Sequence, residues 1–193
     1  MPHLRRLRLE QFSDGVIAIA ITLLAFELKA PHLSNLDFES SVREVLRLFP
    51  ILLTFVLSFV TIAIFWVNHH QMTDHIDDIN RKIVWANMIF LMFLALIPFA
   101  TRVIGENPYS PLSVATYGFI LFCGSFTFSI IHLLIHKKIN KSLSMDSRLI
   151  QRSLIGPIFY ICATVASFNF IPIAYFLLMI PPIYYFLPKR IQG

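Results

Sequence analysis

Six apolar runs, each close to the length of a membrane-crossing helix, leave this chain few folds. They lie at about 12–28, 48–68, 83–104, 112–135, 149–168 and 170–188. A helix needs about 20 apolar residues to cross a ~30 Å hydrocarbon core. Apolar residues make up 56% of the 193; a soluble domain of this size cannot hide so much, whereas a bilayer accepts it. The expected fold is an all-α membrane protein with six transmembrane helices, forming a single domain over residues 1–193. Only a tight link, Asn169–Pro172, separates the last two runs. Two spans are expected there, because one helix of about 40 residues would overrun the bilayer. Pro157, Pro172, Pro181 and Pro182 should kink or cap these final helices. Pro31 ends the first helix, and Ser40 to Leu48 reads as a short amphipathic helix at the surface.

Lys and Arg set the orientation. With six spans, both termini and the loops at 69–82 and 136–148 share one side. That side carries Arg5, Arg6, Arg8, Arg81, Lys82, Lys137, Lys138, Lys141, Arg148, Arg152, Lys189 and Arg190, and the other only Lys29, Arg43, Arg47 and Arg102. The positive-inside bias places both termini in the cytoplasm, so the chain reads as a multi-pass protein of the cell membrane. The same bias accounts for the net charge of +5 without a nucleic-acid partner. Cys123 and Cys162 fall inside apolar runs and read as packed or lipid-facing thiols.

Other chemistries find little support. His69, His70 and His75 with Asp74, Asp77 and Asp78 make one partial metal box, and His132 and His136 stand four apart at a helix end. Neither set has the several ligands at fixed spacings that a metal enzyme needs. No span carries regularly spaced Arg, and there is no Gly-rich phosphate loop or nucleophile elbow. No metal, cofactor or enzymatic activity is expected. A secondary transporter remains the alternative, although it usually has more spans, internal repeats and helices broken at mid-membrane.

The first span differs from the rest: it is rich in small residues and opens on a polar group. At 100° per residue, with Ile19 at 0°, Phe12, Gly15, Thr22, Leu23, Phe26 and Ala30 all fall within about 60° of it. This face is apolar except for Thr22. Asp14 lies about 140° away, so it is expected to point into the protein. Topology brings Asp14 to the depth of Arg8, Asn68, His69, His70 and Asn87. Two readings stand side by side: a polar network tying the first helix to the second and third, or Ser13 or Asp14 capping free backbone amides. Glu27 either makes the mouth of the helix negative or, preferably, pairs with Lys29, Arg43 or Arg47.

The run Arg8-Leu-Glu-Gln-Phe12-Ser13-Asp14 on a first membrane helix, with Trp66-x-x-His69-His70 closing the second, resembles the signature of the transmembrane protein 175 family of lysosomal and prokaryotic potassium channels. The six-span layout is similar over the whole chain, and the single repeat resembles the prokaryotic members. The resemblance implies a homotetramer whose first helices line one central pore. It implies a potassium-selective or potassium-preferring channel for monovalent cations with no carbonyl filter; the Thr-Val-Gly-Tyr-Gly loop is absent here. The family's hydrophobic constriction would begin at Ile19 and continue through Leu23 and Phe26, with Thr22 the residue associated with selectivity. Arg8, Ser13, Asp14, Asn68, His69 and His70 would form the structural polar network. Potassium would be the permeant ion, and no cofactor is implied.

Overall fold

Backbone inside a bilayer has no water to satisfy it, so it closes its hydrogen bonds within helices. A computed structural model of the chain, describing residues 2–28, 30–31, 37–73, 79–139 and 147–186, is helical over most of the described part of each apolar run. Its helices are α1 (Pro2–Phe26), α2 (Phe38–Leu46), α3 (Phe49–Thr73), α4 (Arg81–Ala95), α5 (Ile97–Glu106), α6 (Pro111–Ile139), α7 (Ser147–Ala166) and α8 (Ile171–Phe186). Four helical runs are long and apolar enough to cross a membrane: Arg6–Phe26, Phe38–Thr73, Arg81–Glu106 and Pro111–Lys138. The shorter apolar helices Ser153–Ala166 and Ile171–Phe186 complete the six-helix bundle that was expected.

The elements differ in detail from the sequence reading. α1 starts at Pro2, well before the apolar run at about 12. The third span is two helices rather than one. Pro98 stands in the first turn of α5, where it has no N–H to give and its ring would collide with the carbonyl of Leu94. The chain turns at Leu96, whose amide reaches only back to Phe93 O at 3.1 Å. Of the prolines expected to kink or cap the last spans, Pro172 lies in the first turn of α8, and Pro157, Pro181 and Pro182 lie within continuous helix. The amphipathic surface helix is α2. None of its residues is buried; Phe38, Val42, Val45 and Leu46 lie exposed along it, and Arg43 and Arg47 pair with Glu39 and Glu44 of the same helix.

α6 packs against α4, α5, α7 and α8, whereas α1 packs against α3, α4 and α5. Close approach of α6 and α7 depends on Gly118, where a Cβ would stand 2.7 Å from Thr164 Oγ1. An aromatic cluster of Phe65, Phe90 and Phe128 joins α3, α4 and α6, with ring centroids 5.3–5.6 Å apart.

Polar groups within the bundle are matched rather than excluded. Among the described residues, no buried side-chain nitrogen or oxygen lacks a partner. Fully buried Ser58 of α3 meets Thr101 of α5 at 2.7 Å and Tyr117 of α6 at 2.9 Å. Thr101 gives its one hydrogen to Ile97 O, 2.8 Å away. Ser58 must therefore donate to Thr101, and Tyr117 to Ser58. The resulting chain pins α5 to two neighbours at once.

This direction of donation has a measurable consequence. Ser58→Ala should leave the Tyr117 hydroxyl buried without an acceptor, at a cost of about 1–3 kcal/mol. Tyr117→Phe removes the donor at the chain's end and should cost less. Thermal melting of the two variants in detergent gives their order, and the opposite order would show that the chain runs the other way.

Candidate functional site on the first helix

α1 divides along its length into a packed flank and an open one. Leu9, Ser13, Ile17, Ala20 and Leu24 are buried against the bundle. On the helical wheel these lie about 80–160° round from Ile19. The face singled out in the sequence lies away from that flank: Ile19 is 60% exposed, Leu23 43% and Phe26 80%. Phe12, Gly15 and Thr22 are exposed beside them. The Thr22 hydroxyl donates to Ile19 O at 2.9 Å. Its hydrogen is thereby committed to the helix, and its lone pairs remain on the open face.

The basic end of α1 carries two neighbouring hydrogen-bond systems in place of one network. Ser13 faces inward and is fully buried. Its hydroxyl donates to Leu9 O at 2.8 Å and accepts from Asn87 Nδ2 at 2.9 Å. Asn87 then presents Oδ1 to His69 Nε2, 2.8 Å away, so that ring nitrogen must carry the proton. Ser13, Asn87 and His69 thus join α1, α4 and α3 through a continuous buried chain, with the His69 ring stacked on Phe90. On the other side of α1, Asp14 accepts a 3.0 Å hydrogen bond from Trp66 Nε1, and Trp66 stacks on His70.

This arrangement corrects the expected position of Asp14. It does not point into the bundle but is exposed, and the buried member of the motif is Ser13. An angle of about 140° from Ile19 leaves two flanks available, one on each side of the helix. The flank near +120°, where Ser13 lies, is the buried one, and Asp14 stands on the other side, exposed, with Trp66 of α3 as its partner. Helical angles alone do not say which flank packs. The capping reading fails for Ser13 and Asp14, because α1 has already run for more than two turns before them. Asn68 also departs from expectation: it turns back on its own helix and donates to Ile64 O at 2.7 Å. Arg8 is exposed and belongs to neither system.

Glu27 pairs with neither Arg43 nor Arg47. Its partner is Arg102 of α5, with Nε 3.7 Å from Glu27 Oε2. Lys29, the third expected partner, lies outside the described residues, as do Asp74, His75, Asp77 and Asp78 of the partial metal box. Among the described residues no group of three His, Cys, Asp or Glu is placed to hold a metal ion. The sequence reading had Asn87 at the right depth but did not assign it the joining role. Its signal was a polar amide one turn into an apolar span, which demands a partner.

The buried chain and the exposed pair should respond differently to substitution. Asn87→Ala strands both the His69 N–H and the Ser13 oxygen and should cost about 1–3 kcal/mol of stability. Asp14→Asn keeps an acceptor for Trp66 and should cost less. Melting temperatures in detergent compare them, and equal losses would contradict the division of the motif into two systems.

The family model described as endosomal/lysosomal potassium channel TMEM175 matches residues 8–98. A Chryseobacterium relative named a potassium channel is 32% identical over 188 residues, covering 96% of this chain and 95% of its own. The crystal structure of a lysosomal potassium-selective channel TMEM175 homolog from Chamaesiphon minutus superimposes with a TM-score of 0.82 at 27% identity, covering 94% of this chain and 96% of that one. The zebrafish protein, named an endosomal/lysosomal proton channel, is 32% identical over 107 residues, covering 52% of this chain and 21% of its own. The near end-to-end match to the bacterial relative, on the motif and fold described above, makes this chain a member of the TMEM175 family.

Proposed function

We propose that this chain is the subunit of a potassium channel: a homotetramer in the cell membrane, both termini cytoplasmic, with residues 1–193 acting as one channel domain and α1 of each copy lining a central pore. The observation that carries this reading is the apolar face of α1. Ile19, Leu23 and Phe26 stand exposed on a helix whose opposite flank is packed into the bundle. Four such faces around one axis would bury each other. The bacterial relative and the solved homolog, both described as potassium channels, support the choice of ion. The 12-to-4 division of Lys and Arg supports the orientation.

A ring of four Ile19 and a ring of four Leu23 side chains make an apolar neck. Water leaves such a neck when it is narrow, and a dehydrated ion cannot cross it. Widening by tilt or rotation of α1 rewets it, so the neck is the gate. Thr22 lies between these rings with its hydrogen already donated to Ile19 O. It therefore meets a passing cation with oxygen lone pairs, directly or through the ion's waters. Selection by fit to a partly hydrated ion is looser than in a filter of backbone carbonyls. Phe26 narrows the outer turn of the same face.

Flux into liposomes, with potassium, sodium and protons compared, tests the reading. Passive, unsaturating potassium flux is expected; saturation or dependence on a coupled ion would favour a transporter, and flux dominated by protons would replace potassium as the permeant. Ile19→Asn should hydrate the neck and raise potassium flux severalfold. Unchanged flux would rule out a constriction at Ile19.

A further inference from the structure

We propose that α5 is a bracket holding the outer end of the pore helix against the scaffold, with Arg102 as its positioning residue. This rests on the reading of α1 as the pore wall.

α5 is fixed to α3 twice. Thr101 bonds to Ser58 at 2.7 Å, inside the chain that also includes Tyr117. One turn on, Gly105 lies so close to α3 that a Cβ would stand 2.7 Å from Ile51 Cγ1 and 3.3 Å from Ile51 Cα. The break at Leu96–Pro98 separates this short helix from α4, so α5 takes its position from α3 and α6. Between Thr101 and Gly105, Arg102 reaches the other way, to α1.

Its target, Glu27, is the first residue past α1. A carboxylate there faces the negative end of the helix dipole, which disfavours it. The Glu27 side chain is also only 19% exposed, so little water compensates. A cation is required, and Arg102 supplies it at 3.7 Å while also meeting Glu106 of its own helix at 3.1 Å. Glu27 lies about 80° round from Ile19, on the edge of the buried flank. The pull of Arg102 is therefore directed toward the scaffold and away from the pore axis. Releasing it lets the outer end of α1 lean inward and narrows the neck.

The test is single-channel recording of the full-length protein in planar bilayers, with Glu27→Gln, Arg102→Gln and the double variant. Each single variant should lower open probability about two- to five-fold, the scale of one partly exposed ion pair, with unitary conductance unchanged. The double variant should be no worse than the worse single, because both remove the same contact. The two singles change charge in opposite senses. Opposite shifts in cation current would therefore mean a simple field at the mouth and would overturn the bracket, as would no shift in either. Should Arg102→Gln fail to assemble, Arg102→Lys carries the test: it keeps the charge and should recover wild-type opening, while Glu27→Gln does not. Loss of opening in both would overturn the role given to the pair. Ile19→Asn separates the two levels. If it raises flux while the Glu27 and Arg102 variants do nothing, the pore reading stands and the bracket falls; if it does nothing, the pore reading itself falls.

Discussion

A polar side chain inside a bilayer must find its partner within the protein, and much of this structure follows from that requirement. The bundle contains buried Ser, Thr, Asn and His side chains at several levels, and none of the described ones is left unmatched. Lipid tails are as apolar as leucine, so burial of apolar surface does little to choose one helix arrangement over another. Hydrogen bonds between helices have direction and fixed length, and they can. Ser13, Asn87 and His69 set α1 against α3 and α4 at the basic end, while Ser58, Thr101 and Tyr117 set α5 against α3 and α6 farther along.

These two chains leave α1 packed on one flank and open on the other. Two consecutive motif residues do different work as a result: Ser13 is buried between helices with Asn87, and Asp14 bonds to Trp66 of α3 at an exposed edge. In the proposed channel the open face is free to meet other copies because it carries none of the contacts that hold the subunit together. Conduction and folding then draw on different residues of one helix. The broken third span extends this division. Its first half, α4, contributes Asn87 at one end of α1, and its second half, α5, contributes Arg102 at the other.

Periodicity and length alone determined much of this protein. Six apolar runs of membrane-spanning length permit little besides a helical bundle, because only intrahelical bonds satisfy the backbone of a lone segment in lipid. The apolar face of α1 followed from 100° per residue, a local property that packing does not alter. The motif at Phe12-Ser13-Asp14 and the run Trp66 to His70 were sufficient to suggest the family. What the tertiary structure decided is which flank of α1 packs, and hence that Ser13 and not Asp14 is buried; a helical wheel has no marker for its neighbours. It also decided that Asn87 links Ser13 to His69, that Asn68 turns back on its own helix, and that Glu27 reaches Arg102 across 75 positions of sequence (102 − 27) instead of Arg43 or Arg47. Each of these depends on how far one helix slides and turns against another. That is settled by side-chain partners distant in the chain, where a single sequence records the residues but not their meeting.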